Sequence, residues 1–222
     1  MDSVRNVLIT VRGIQEISET ELEYMESRLP AYRLEKAHRY RRREDRVNSI
    51  VSYSLLDYMI RSYYNAELPG EPKYNQYGKP LFTDIGAEVS ISHCSGGVCC
   101  AVSEKPVGAD MENVITDYYK LVSYVLSENE QHLLHEADSP EKLFTEMWTQ
   151  KEAFLKMKGT GLINKLSDCD ITLFRKKYPE LIRNIIWHDE TCISVCSYKM
   201  MKYEDISIDD LLGNMLLAYD NK

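Results

Sequence analysis

The 222-residue sequence lacks long apolar runs, and its purely apolar stretches are only a few residues long. A membrane-spanning helix needs about 20 such residues, so the sequence does not predict a membrane protein. The stretch MDSVRNVLITVRG has no basic flank and no small-residue cleavage site, which favours a first strand over a signal peptide. An excess of positive charge is also missing: 35 acidic residues outnumber 27 basic ones, and the formal net charge of −8 disfavours nonspecific binding to nucleic acid.

Several familiar motifs are missing as well. There is no G-x-x-x-x-G-K-[ST] phosphate loop and no G-x-G-x-x-G fingerprint, which disfavours the P-loop and Rossmann classes. The sequence contains neither a G-x-S-x-G nucleophile elbow nor an H-E-x-x-H zinc helix. The cysteines form no C-x-x-C pair, and most lie in apolar runs, so we expect free thiols in a reducing cytoplasm. They occupy positions 94, 99, 100, 169, 192 and 196.

What is present is ordinary globular composition, with 44% hydrophobic and 28% charged residues. Residue periodicity predicts both strands and helices, in the order strand, helices, hairpin, strand, helices, hairpin. The predicted strands are 3–12, 89–91, 98–102, 107–112, 168–174, 182–187 and 191–198. The predicted helices are 18–29, 33–64, 117–136, 140–158 and 207–217. This order indicates two similar α+β halves that meet near residues 104–110.

Asp110 and Glu112 lie two residues apart in a predicted strand, so their carboxylates point to the same face. Neighbouring carboxylates repel each other unless they are exposed or neutralised by a cation. Mg²⁺ commonly binds one or two carboxylates and completes its octahedral shell with water and phosphate oxygens. The pair is therefore interpreted either as a Mg²⁺ site or as the solvated face of an edge strand.

Glu152 and Lys156 lie one helical turn apart in W-T-Q-K-E-A-F-L-K (148–156), and G-T-G-L follows at 159–162. A surface pair of this spacing stabilises a helix by only about 0.2–0.5 kcal/mol. Either glycine could simply end the helix. Taken alone, the segment favours an ordinary ion pair.

Two further groups could contact anions. Ser92 and His93 are neighbours in a predicted strand, so they face opposite ways and cannot serve as each other's nucleophile and base. A histidine at a strand end could nevertheless bind a phosphate. Residues 33–46 are rich in arginine and lysine, which indicates either a solvated helix face or an anion site.

The order and spacing of these segments resemble a known family. A Y-G-K-P turn at 77–80 is followed by I-S-H at 91–93, V-G-A-D-M-E at 107–112 and W-x-x-K-E-A-x-x-K-x-x-G-x-G-L at 148–162. Over residues 30–162 this pattern resembles the Sfp-type 4'-phosphopantetheinyl transferases. The last motif is long, and four blocks in the same order distinguish the resemblance from a chance match.

The resemblance implies an enzyme that transfers the 4'-phosphopantetheine arm of coenzyme A to a serine of an apo carrier protein and releases 3',5'-ADP. The carrier would be an acyl or peptidyl carrier of fatty-acid, polyketide or nonribosomal-peptide synthesis. The implied fold is α+β, with two similar α/β subdomains in pseudo-twofold arrangement at 1–104 and 105–222. The active site would lie in the cleft between them. We expect a cytoplasmic monomer that uses neither nucleic acid nor membrane.

The same resemblance assigns roles to individual residues. Mg²⁺ would be held by Asp110, Glu112 and Glu152. Glu152 is also the candidate general base, and Lys156 would neutralise charge on the phosphates or the leaving group. The residues expected to contact coenzyme A are Arg33 and Lys36 at the 3'-phosphate, Lys79 and Pro80 at the adenine and ribose, and Ser92, His93, Asp110 and Lys156 at the phosphates.

Three positions depart from the family pattern. Cys94 replaces a serine found in many relatives, Met111 lies where some carry a third acid, and Asn48 lies where some carry an arginine. We therefore expect Glu152 or water to complete the metal shell, and fewer anion contacts from the basic helix. Two other functions remain open: a non-catalytic phosphate- or RNA-binding module, and a coenzyme A ester hydrolase with Cys94 or Ser92 as nucleophile.

Overall fold

The computed structural model describes residues 5–161 and 165–220, which form a mixed α+β structure. The strands are β1 (Val7–Arg12), β2 (Lys73–Tyr74), β3 (Pro80–Leu81), β4 (Glu88–Cys94), β5 (Gly97–Ser103), β6 (Val107–Asn113), β7 (Ile182–His188), β8 (Thr191–Ser197) and β9 (Lys202–Ser207). The helices are α1 (Glu19–Arg28), α2 (Ala31–His38), α3 (Arg43–Tyr64), α4 (Val122–Val125), α5 (Glu128–His135), α6 (Pro140–Lys158), α7 (Phe174–Lys177) and α8 (Ile208–Asp220).

The first sheet has the strand order β4-β5-β1-β9. Its pairs are antiparallel except for β1 and β9, which run parallel and connect the two ends of the chain. Alternate residues of β1 face opposite sides. Val7 and Ile9 pack with α1, α3 and α8, whereas Leu8 packs towards the second sheet.

The second sheet has the order β6-β8-β7, and both of its pairs are antiparallel. Val107 and Met111 of β6 pack against the first sheet, while α6 covers the other side. The free edge of β6 runs beside β4, where the Ala109 amide donates to Ser90 Oγ at 2.9 Å. The two sheets therefore meet along a seam between β4 and β6.

Gly108 allows α6 to approach β6 with no side chain between the two backbones. A Cβ atom built on Gly108 would lie 1.9 Å from Ala153 O and 2.4 Å from Met157 N. These separations are far below van der Waals contact, so only glycine fits this position of β6. The contact fixes the distance between the strand that carries Asp110 and the helix that carries Glu152.

Most of the predicted elements are confirmed, and three predictions need correction. The predicted helix 33–64 is two helices, α2 and α3. Between them, residues 39–42 are three arginines and an exposed tyrosine, so no buried apolar side chain continues the packed face of the helix. The predicted strand 168–174 is wrong: Asp170 Oδ1 accepts from the amide of Thr172, and this local turn replaces the strand. The predicted helix 117–136 is a 3-10 turn followed by α4 and α5.

Within the described residues, no helix combines the length and apolar character that crossing a membrane requires.

Gly108→Ala is expected to destabilise the protein by about 1–3 kcal/mol or more, the usual range for overpacking. The matched control is Gly213→Ala on α8, where an added Cβ meets nothing within 4 Å. Because alanine is the better helix former, this control should be neutral or stabilise by up to about 1 kcal/mol. Urea unfolding of both variants measures the difference, and equal stabilities would contradict the close approach.

Candidate active site

A cleft of about 400 Å³ opens where β4, the turn before β3 and the second half of α6 meet. It gathers residues that the sequence separates by some eighty positions, and among them are four of the predicted site residues: Lys79, Pro80, Glu152 and Lys156. The remaining lining residues are Tyr77, Gly78, Val89, Ser90, Ile91, Leu155, Gly159 and Gly161. Leu162, the last residue of the long motif, lies outside the described residues.

Asp110, Ser92 and Lys156 form a hydrogen-bonded group at the seam between the sheets. The Lys156 ammonium donates to Asp110 Oδ1 at 2.7 Å and to Ser92 Oγ at 2.8 Å. Ser92 Oγ in turn donates to Asp110 Oδ1 at 2.8 Å. Asp110 is only 4% exposed, so this ion pair is largely shielded from solvent screening. The structure thus brings together three predicted residues from β4, β6 and α6.

Glu112 and Glu152 lie near enough to this group for the charges of Asp110 and Lys156 to act on them. Burial, together with the negative charges of Asp110 and Glu152, raises the pKa of Glu112 to about 7 despite the opposing effect of Lys156. Burial and the charge of Asp110 likewise raise the pKa of Glu152. Burial is therefore the main cause of both shifts, and the neighbouring negative charges add to it more than Lys156 offsets.

Two of the carboxylate oxygens of this site lack a hydrogen-bond donor. Asp110 Oδ2 and Glu152 Oε1 are buried and find no partner among the described residues. Unpartnered buried acceptors are costly unless a proton, a water molecule or a cation satisfies them. Oxygen donors of this kind suit Mg²⁺, so the donor chemistry fits the predicted metal.

The side chains as placed do not form a ready-made metal cage. Within residues 5–161 and 165–220, no three carboxylate, imidazole or thiol groups are grouped closely enough to hold an ion by themselves. Lys156 lies against Asp110, on the oxygen that Ser92 also contacts. The shared Mg²⁺ site of Asp110, Glu112 and Glu152 therefore stays a prediction.

The turn at 77–80 is held by a residue that sequence analysis missed. Asn75 Oδ1 accepts from the amides of Tyr77 and Lys79, both at 2.9 Å, while Asn75 Nδ2 donates to Gly159 O at 2.7 Å. Asn75 thus shapes the turn and anchors it to the end of α6. Gly159 has a φ of 67°, which ends α6 in the left-handed conformation. The sequence feature that could have revealed this role is an asparagine three residues before Gly78, because asparagine side chains often accept hydrogen bonds from the amides of a following turn.

Lys79 and His93 approach the site with basic groups. The Lys79 ammonium lies 3.4 Å from Glu88 Oε2 and 3.5 Å from Met157 O, at the border of the cleft. His93 lies on the opposite face of β4 from Ser92, as the strand periodicity predicts, with part of its side chain exposed and the ring partly desolvated. Desolvation and the positive charge of Lys156 lower the pKa of His93, which favours the neutral imidazole.

Arg33 and Lys36 lie on α2, outside the lining of this cleft. Arg33 is 8% exposed, donates from Nη2 to Ser49 Oγ at 2.9 Å and stacks on the Tyr53 ring at 3.8 Å. Its Nε is buried and finds no acceptor in the described part of the chain. Burial and the charge of Arg33 lower the pKa of Lys36. The two cations therefore lie close enough to repel each other.

Comparison with known proteins agrees with the geometry. The family model of the 4'-phosphopantetheinyl transferase superfamily matches residues 106–206, which include β6 and α6. The chain is 26% identical over 206 residues to the 4'-phosphopantetheinyl transferase gsp of Aneurinibacillus migulanus, covering 90% of this chain and 78% of that protein. It is 27% identical over 162 residues to the 4'-phosphopantetheinyl transferase Sfp of Bacillus subtilis (strain 168), covering 71% and 72%.

A third relative, the 4'-phosphopantetheinyl transferase HetI of Nostoc sp., is 28% identical over 193 residues, covering 79% of this chain and 81% of the relative. The matched residues 106–206 include Asp110 of β6 and Glu152 and Lys156 of α6. Residues 106–206 thus match the 4'-phosphopantetheinyl transferase superfamily, and over most of its length the chain is similar to relatives named as 4'-phosphopantetheinyl transferases.

Proposed function

We propose that this protein transfers the 4'-phosphopantetheine arm of coenzyme A to a serine of an apo carrier protein and releases 3',5'-ADP. The observation that carries the proposal is the cluster of Asp110, Glu112 and Glu152 near Lys156, at the edge of a cleft of about 400 Å³. Such a cluster suits a substrate that brings both phosphate charge and a divalent cation.

The basic and turn residues are proposed to bind coenzyme A. Lys79 and Pro80 border the cleft and would flank the adenine and ribose. Arg33 and Lys36, neighbours on α2, would meet the 3'-phosphate, and Lys36 is the more exposed of the two. Guanidinium and ammonium groups are well suited to phosphate oxygens. Ser92 and His93, on β4, would contact the remaining phosphates.

Mg²⁺ would be held by Asp110, Glu112 and Glu152. Bound there, it would neutralise charge on the pyrophosphate oxygens during transfer. The unpartnered oxygens of Asp110 and Glu152 support this assignment. Lys156, held on Asp110 Oδ1 at 2.7 Å, would contribute a fixed positive charge close to the phosphates and the leaving group.

Glu152 is the proposed general base. Its raised pKa makes the carboxylate a better proton acceptor than an ordinary glutamate. The carrier serine oxygen bonds to the phosphorus next to the pantetheine arm, and the bond from that phosphorus to the bridging oxygen of 3',5'-ADP breaks. The serine proton passes to Glu152 directly or through one water molecule, and the electron pair leaves with 3',5'-ADP.

The two sheets are proposed to mark two similar subdomains, residues 1–104 and 105–222, in pseudo-twofold arrangement. The seam between β4 and β6, where Ser92 contacts Asp110, supports this division. The final elements β9 and α8 cross back to the first sheet. Because one chain supplies all the proposed site residues, we propose a monomer, and its six free cysteines suit the cytoplasm.

A hydrolase mechanism finds little support at the predicted nucleophiles. Cys94 is buried, and burial together with the charge of Glu112 raises the pKa of its thiol to about 12, so the thiolate is scarce. Ser92 Oγ donates to Asp110 and accepts from Lys156, without a histidine base.

A binding module on the basic helix is also disfavoured, because acidic side chains neutralise several of its arginines. The ion pairs are Arg39–Glu35, Arg43–Glu19 and Arg46–Glu26.

The direct test incubates the purified protein with coenzyme A, Mg²⁺ and a panel of apo acyl and peptidyl carriers. Intact-mass spectrometry should show the addition of one phosphopantetheine to the carrier serine, and omission of Mg²⁺ should abolish it. Failure to modify any carrier of a varied panel would overturn the proposed function.

Asp110→Ala and Glu152→Ala should each lower transfer by about 100-fold or more, the scale of removing one electrostatic stabiliser from a preorganised site. The matched control, Glu180→Ala, removes an exposed carboxylate outside the cleft and should leave the rate unchanged. Circular dichroism verifies that each variant folds. Wild-type rates in both site variants would refute the metal assignment.

Lys79→Ala should raise KM for coenzyme A by about 10-fold while changing kcat by less than about threefold, because a lost binding contact acts on ground and transition states alike. Lys73→Ala is the control, since Lys73 is an exposed lysine of the same hairpin. Steady-state kinetics with coenzyme A as the varied substrate measures both variants. A fall in kcat at constant KM would place Lys79 in the chemical step instead.

Glu112 should make stability depend on pH in metal-free buffer. Its pKa of about 7 in the folded protein exceeds the ordinary 4.5, so the folded state holds the proton to higher pH than the unfolded chain. The stability that the protonated form contributes is therefore lost as the pH rises from 4.5 towards about 7. Glu112→Gln lacks this loss, so its advantage in free energy of unfolding should grow from about pH 5 to about pH 8. A constant difference between variant and wild type in urea unfolding would contradict the shift.

A further inference from the structure

Lys151 and Glu130 form an ion pair whose side chains are both 0% exposed. The Lys151 ammonium donates to Glu130 Oε2 at 2.6 Å, to Val125 O at 2.6 Å and to Leu166 O at 3.0 Å. A lysine ammonium has three donors, and here each has its own acceptor. The proposed reaction uses neither residue.

Glu130 is fully engaged as well. Its Oε1 accepts from the Ile171 amide at 2.8 Å, and its Oε2 accepts from the Ser127 amide at 2.7 Å as part of the capping box of α5. The pair thereby connects α6 with the end of α4, the start of α5 and the segment 166–171. These parts of the chain share no sheet, so the pair joins them through side-chain hydrogen bonds.

Stability alone does not account for such a pair. Removing two charges from water is costly, and an apolar pair of similar volume often gives equal or greater stability. Apolar contacts are not directional, whereas hydrogen bonds to fixed carbonyl groups are. The hydrogen bonds of the ion pair thus specify how the helix is rotated about its axis. The ion pair therefore contributes orientation to α6.

The orientation of α6 bears directly on the site. Lys151 immediately precedes Glu152, and consecutive helical residues point about 100° apart, so fixing one side chain fixes the direction of the other. On the strand side, Gly108 holds the backbone of α6 against β6. The segment that begins at Lys165 follows the glycine turn lining the cleft, and Leu166 O is held by Lys151.

We propose that Lys151 and Glu130 are positioning residues of the transferase reaction. They set the rotation of α6, and with it the placement of Glu152 and Lys156 against Asp110. The inference rests on the proposed function, but it concerns residues that contact neither coenzyme A nor the carrier.

The test separates stability from positioning with the double variant Lys151→Met/Glu130→Leu, which replaces both charges by apolar side chains. Its free energy of unfolding in urea should be close to that of the wild type. Its kcat should fall by about 10-fold or more, since small displacements of catalytic groups can cost up to about 100-fold. KM for coenzyme A should change by less than about threefold. The control, Lys142→Met/Glu190→Gln, removes an exposed ion pair at the start of α6 and should keep wild-type kinetics.

Wild-type kcat in a stable double variant would overturn the proposal. A loss of kcat that matched the unfolded fraction would also overturn it, because the pair would then be structural only. If the double variant does not fold, Glu130→Asp replaces it, because this change keeps the charge and shortens the side chain. The proposal then predicts a lower kcat with KM for coenzyme A nearly unchanged, and a wild-type kcat would overturn it. Absence of transfer by the wild-type protein itself would refute the proposed function instead, so the two failures are distinguishable.

Discussion

The contact between Gly108 and the backbone of α6 is the constraint on which the site depends. Strand and helix touch without an intervening side chain, since an added Cβ would lie 1.9 Å from Ala153 O. Two residues further along β6, Asp110 projects from the same side and comes within 2.7 Å of the Lys156 ammonium. A wider separation of helix and strand would draw these groups apart. Packing of a glycine thus determines an electrostatic arrangement.

The electrostatic cost of that arrangement comes from negative charges that are close together and only partly neutralised. Three carboxylates share the neighbourhood of one ammonium, and burial together with their repulsion raises the pKa values of Glu112 and Glu152. The buried pair next to this group on α6 is different: all three donors of Lys151 and both carboxylate oxygens of Glu130 have hydrogen-bond partners. An ion pair with matched charges thus lies one residue along α6 from a group of carboxylates whose charges are not matched.

Features with local periodicity could be predicted from the sequence. The spacing of two in β6 placed Asp110 and Glu112 on one face, and the spacing of four in α6 placed Glu152 and Lys156 together. Contacts that depend on tertiary packing could not be predicted. The bridge from Asn75 to the end of α6 joins residues 84 positions apart. Strand β9 has no apolar alternation in K-Y-E-D-I-S, because it is a half-exposed edge strand recognised only by its pairing with β1.

The parallel pairing of β1 with β9 has a consequence for biosynthesis. Val7 lies opposite Lys202, and Arg12 opposite Ser207, so β1 is translated long before the strand that pairs with its second edge. Until then one edge of β1 is open, and its apolar side chains lack the cover that α8 provides. The amino-terminal sheet therefore reaches its final form only after translation of residues 202–220. An apolar strand whose partner is translated so much later favours dependence on holding chaperones during synthesis.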